Sequence, residues 1–66
     1  MTIRVGDLVE IDSVQHGVGL AIVLDIMGEE TSELDGFYEI RLIRNGNHVA
    51  ISKAEIIKVI GEGNGE

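Results

Sequence analysis

Apolar and polar positions alternate through most of this chain, with a period of two that predicts strands rather than helices. The longest apolar stretch runs Gly17-Val18-Gly19-Leu20-Ala21-Ile22-Val23-Leu24-Asp25-Ile26-Met27. Its even positions, Val18, Leu20, Ile22, Leu24 and Ile26, form an unbroken row of large aliphatics. Side chains two apart share one face of a strand, so this row predicts a long central strand with even positions turned inward. The odd positions, Gly19, Ala21, Val23, Asp25 and Met27, are small or mixed, which predicts a second face only partly covered. A glycine-started strand of this length suits a small bent barrel.

The flanking segments supply partners for it. Ile3, Val5, Val9 and Ile11 share parity in a first strand that Gly6-Asp7 interrupts with a turn or kink. Asp12 to His16 is a polar connection leading to Gly17. Residues 28–36 carry four acids and no base, without the alternating Asp/Asn ladder of a calcium loop, and read as a solvated connection. Phe37 to Arg44 and Asn47 to Ser52 flank Asn45-Gly46, the preferred dipeptide of a two-residue hairpin turn. That turn predicts Leu42 opposite Val49 and Ile40 opposite Ile51. Ser52-Lys53-Ala54-Glu55 has the spacing of a capping box and predicts one helical turn. Ile56 then drops into the barrel end and Ile57 to Ile60 forms a last strand, followed by a glycine-rich tail over 61–66. The predicted core is Val9, Leu20, Ile22, Leu24, Ile26, Ile40, Leu42, Val49 and Ile51.

These elements predict an all-β, SH3-like (Tudor/Sm-like) five-stranded small barrel over 1–60, with one helical turn before the last strand. Val5-Gly6-Asp7-x-Val9, then His16-Gly17-Val18-Gly19, then Ile22-x-x-Asp25-Ile26, resembles the Tudor-like barrels of the CarD and transcription–repair coupling factor type. That resemblance implies a domain that docks on RNA polymerase. More distantly the chain is similar to Sm-like ring-forming barrels, though it lacks their amino-terminal helix.

Composition narrows the functions. The chain has 66 residues, twelve acids and five bases, for a net charge of −7, and no cysteine. A domain this small buries only about 60% of its unfolded surface. No thiolate site or disulfide is available, and two histidines alone do not complete a structural zinc site. No apolar run approaches the ~20 residues of a membrane span, and no signal-peptide pattern opens the chain. A soluble, cytoplasmic protein with no cofactor, metal or membrane is the expectation. The bases Arg4, Arg41, Arg44, Lys53 and Lys58 are scattered, so phosphate neutralisation by the monomer is disfavoured. A ring assembly would line up Arg41, Arg44 or Lys53 as a basic rim.

Candidate chemistry is sparse. His16 sits at a glycine-rich loop with no Ser, Cys or second His spaced to complete a catalytic set, so no catalytic residue is assigned and no enzyme expected. Phe37 and Tyr38 are the only aromatics. Neighbours on a strand point to opposite faces, so they cannot form one recognition cage. Tyr38, in phase with Ile40 and Leu42, is expected over the barrel's end, and Phe37 at the surface. Val23, Met27, Phe37 and Ile43 fall out of phase with the predicted core rows and are the candidate interface residues. They favour a non-enzymatic module that binds a protein partner or a second copy of itself as a homo-oligomer.

Overall fold

The computed structural model describes residues 3–27 and 36–61. They form five strands and one short 3-10 turn: β1 (Leu8–Ser13), β2 (Gly17–Met27), β3 (Phe37–Leu42), β4 (His48–Ser52), η1 (Lys53–Glu55) and β5 (Ile56–Gly61). The strands make one antiparallel sheet in the order β4-β3-β2-β1-β5, with the last strand returning beside the first. Among the described residues the sheet is not closed into a continuous barrel, and β4 and β5 are its edges. Of the expected acidic loop only Gly36 is described, and residues 62–66 of the expected tail lie outside the described residues.

Two glycine-bearing turns anchor the amino-terminal half. Arg4 to Asp7 is a tight turn: Asp7 N–H donates to the Arg4 carbonyl at 3.1 Å, and Gly6 has φ +96°. The Asp7 carboxylate accepts from Arg4 N–H at 2.9 Å, which explains an acid that is almost wholly buried. Beyond the turn Gly6 N–H donates to the Val23 carbonyl, and Val23 N–H to the Asp7 carbonyl. The break expected at Gly6-Asp7 is therefore a turn stitched onto β2. At the other end of β1, Ser13 Oγ accepts from His16 N–H at 3.2 Å and Gly17 takes φ +85° as the chain enters β2.

The core lies on one face of the sheet. It comprises Ile3, Val9, Ile11, Ala21, Val23, Tyr38, Ile40, Leu42, Ile51 and Ile56, with Val49 and Val59 packed against it. In β2 the inward row is the odd one, contrary to expectation. Ala21 and Val23 are 0% exposed, whereas Leu20 is 41% and Val18 60% exposed. Ile22 and Leu24 are half-buried, and Ile26 is exposed. The physical reason is the partners' size. Across the sheet Ile11 pairs with Gly19, Ala21 lies between Val9 and Leu42, and Val23 pairs with Ile40. Large side chains on the flanking strands fill the core side, and only small ones fit between them on the central strand.

A bulge then changes the phase. Val23 pairs with Ile40 but Asp25 with Glu39, leaving Leu24 as the extra residue. Past it, Ile26 pairs with Tyr38 on the core side and Met27 with Phe37 on the outer side.

The hairpin register is also corrected. Ile40 pairs with Val49 and Tyr38 with Ile51, one residue per strand from the expected alignment. The loop is four residues, 43–46, rather than two. Gly46, at φ +76°, donates to the Leu42 carbonyl at 2.7 Å, and Asn45 Oδ1 accepts from Asn47 N–H at 2.9 Å. Tertiary contacts hold Ile43 and Arg44 out of the ladder: Ile43 N–H donates to the Leu20 carbonyl at 3.0 Å, and Arg44 reaches the His16 carbonyl. Because both strands slip by one, the faces survive, and Ile40, Leu42 and Ile51 remain buried. At η1 the Glu55 carboxylate accepts from Ser52 N–H at 2.9 Å, as the capping-box spacing predicts. Ile56 is buried at the start of β5.

Candidate interaction surface

The register defines the outer face. One row across it reads Leu8, Ile22, Arg41, His48. A second has Glu10 beside Leu20, and a third Asp12 beside Val18. Val18, Leu20, Ile22 and Leu8 thus make an apolar strip along β2 and β1, bordered by Glu10 and Arg41. Farther along, Asp25 lies opposite Glu39, and beyond them Met27 lies opposite Phe37. The outer face therefore carries two apolar areas separated by an acidic pair. His48 Nδ1 stands 3.8 Å from Glu39 Oε2, and Lys58 Nζ 4.0 Å from Glu10 Oε1. Both pairs are solvent-exposed, so they contribute little to stability.

The residues expected at an interface separate into three places. Met27 and Phe37 are brought together, paired and exposed, as expected of a surface. Ile43 is exposed on the β3–β4 turn, beside Leu20, which lies seven residues along β2 from Met27, at most about 23 Å at the rise of an extended strand. Val23 is corrected: it is a core residue, and the exposed apolar surface lies on its even-numbered neighbours farther along the strand, Val18 and Leu20, with Ile22 half-buried beside them. The period-two pattern contained those neighbours but assigned them to the inside.

The expected basic rim is not gathered within one chain. Arg41 lies mid-sheet beside Ile22 and His48. Lys53 is on η1, at the far end of β4. Arg44 has a structural task that the sequence did not reveal. Its guanidinium donates to the His16 carbonyl, and a Cβ placed on Gly17 would come within 3.4 Å of it. Arg44 thus ties the β3–β4 turn to the β1–β2 turn, and His16 contributes through its backbone.

Beside this tie is a recess of about 30 Å³ lined by residues that include Ile11, Gly19, Leu42 and Arg44. That is room for about two waters and far below the 300 Å³ or more of a small-molecule site. Among the described residues no group of three or more His, Cys, Asp or Glu could hold a metal ion. No helix among them is long and apolar enough to cross a membrane. No protein-family model, curated protein or solved structure matches the chain.

Proposed function

We propose that this chain is a non-enzymatic protein-binding module of SH3-like type, acting through the outer face of β2. One observation carries the proposal: β2 turns its small side chains into the core and its larger ones, Val18, Leu20 and Ile22, toward solvent. Isolated exposed aliphatics are ordinary, but a strip continuous across two strands is what an interface needs. The strand order, with β5 beside β1, supports the SH3-like assignment. The Val5-Gly6-Asp7 and His16-Gly17 motifs serve as turn and strand-entry chemistry, so their likeness to polymerase-docking domains reads as a mark of fold more than of partner.

The test is site-specific photo-crosslinking in the native cell. A benzophenone side chain at position 20 should capture a protein, and the same group at Ala54, exposed on η1, should not. Equal capture at both positions would sink the proposal. RNA polymerase subunits among the adducts would select the polymerase-docking reading. Submicromolar binding of single-stranded RNA at ~150 mM salt, lost when Arg41 and Arg44 are replaced, would select an Sm-like ring.

A further inference from the structure

The two edges of the sheet are protected to different degrees. β5 carries Lys58, and its pairing with β1 is interrupted by register shifts between Leu8 and Val9 and between Glu10 and Ile11. A charge and bulges are the usual means of keeping an edge from pairing with another chain. β4 has neither. Its sequence, His-Val-Ala-Ile-Ser, contains no Lys, Arg, Asp, Glu or Pro. It pairs with β3 without a shift, from Phe37 opposite Ser52 to Arg41 opposite His48.

The hydrogen-bond phase of that edge follows from the turn. Leu42 N–H donates to the Asn47 carbonyl at 2.8 Å, which marks Leu42 and Asn47 as a hydrogen-bonded pair. Such pairs alternate along an antiparallel ladder, so Ile40/Val49 and Tyr38/Ile51 are hydrogen-bonded as well. His48, Ala50 and Ser52 therefore direct their N–H and C=O groups away from β3. Ser52 confirms the direction, because its N–H is engaged by Glu55 on η1 and not by β3.

We propose that β4 pairs with β4 of a second copy about a two-fold axis at Ala50, joining two five-stranded sheets into one of ten. A symmetric antiparallel pair must place outward-facing residues opposite outward-facing ones. Centring on Val49 or Ile51, or between two residues, violates that phase. Centring on His48 or Ser52 runs the overlap into the turn or into η1. Only Ala50 gives full overlap, with Ala50 opposite Ala50, His48 opposite Ser52 and Val49 opposite Ile51. The Ala50 pair exchanges two hydrogen bonds, and each His48 N–H donates to a Ser52 carbonyl. Apolar residues meet apolar ones and no like charges oppose.

Each copy carries a net charge of −7, so the two repel and raised salt favours the pairing. A contact of five residues per copy is small, so the dimer is weak and concentration-dependent. The proposal uses the sheet's edge rather than the outer face of β2 and stands independently of the partner reading above.

Sedimentation velocity on the full chain, from micromolar to ~1 mM, tests it. The mass should rise toward twice that of the monomer. Ala50→Lys should hold it at the monomer, because two cations then meet at the axis, while circular dichroism remains that of the folded sheet. Ala50 is exposed and lies opposite Glu39, so lysine is accommodated there. Should that variant fail to fold, amide exchange on the unmodified protein decides. The His48 and Ala50 N–H groups should become protected as concentration rises, and those of β5 should not. A monomer throughout the range, a dimer indifferent to Ala50→Lys, or a dimer abolished only by Leu20→Lys would each overturn the proposal.

Discussion

The two faces of β2 pack the same strand under opposite rules. The inner row, Gly19, Ala21 and Val23, is small, with Ala21 and Val23 fully buried and Gly19 half-buried, while the outer row, Val18, Leu20 and Ile22, is larger and at least partly wet. Hydrophobicity alone would have put the larger row inside. The difference teaches that burial on the central strand is decided by what the flanking strands already supply. Val9, Ile11, Ile40 and Leu42 fill the core side, and the central strand contributes what fits between them. The outer side has no such layer among the described residues, and its aliphatics are left at least partly exposed.

The largest break in this comparison is Val23→Asp. A carboxylate with no room for water or a partner at a site 0% exposed costs several kcal/mol, comparable with the whole stability of a 66-residue chain. The expected result is a chain unfolded at 25 °C by circular dichroism. A cooperative melt close to that of the parent would mean that Val23 faces solvent, as its parity in the sequence suggests.

Ala21→Leu probes the same row from the side of size. Leucine is more hydrophobic than alanine, so a rule based on apolarity predicts a gain. Ala21 is 0% exposed between Val9 and Leu42, so three more carbons should overpack the site and destabilise by about 1–3 kcal/mol in a denaturant titration. Gly19→Ala moves the other way. A Cβ at Gly19 would meet no atom within 4 Å, because the recess lies beside it, and its φ is not in the left-handed region. Restricting the unfolded chain should raise stability by about 0.4–1 kcal/mol, seen as a higher melting temperature.

Much of this architecture could be read from the residues, and the failures share a cause. Alternation in Tyr38, Ile40, Leu42, Val49 and Ile51 identified one face of β3 and β4, and polar residues opposite settled which face was inside. β2 is apolar on both faces, so the same alternation fixed the two rows but not their sense. The bulge at Leu24 left no mark, since no glycine or proline stands there. Asn45-Gly46 located the turn correctly. Its length depended on contacts from Ile43 and Arg44 to residues 23 and 28 positions earlier, Leu20 and His16, which no local rule contains. The surface was legible at Met27 and Phe37 and missed at Val18, Leu20 and Ile22 for the reason that inverted the core.

The smallest expected effect is the most discriminating. Leu20→Lys places a charge in the middle of what the sequence presents as the core row, where an inward-facing site would lose several kcal/mol. In the structure Leu20 is 41% exposed and lies opposite Glu10, whose carboxylate is 4.0 Å from Lys58. The lysine stem can follow the same surface as leucine, with its ammonium in water and beside an opposite charge. Its backbone carbonyl still accepts from Ile43, since that bond does not involve the side chain. Stability should therefore stay within about 0.5 kcal/mol of the parent by thermal denaturation. Partner capture through the outer face should be lost, because a charge now interrupts the strip between Val18 and Ile22. Unfolding of Leu20→Lys would return the even row to the core and remove the apolar surface on which the protein-binding proposal rests.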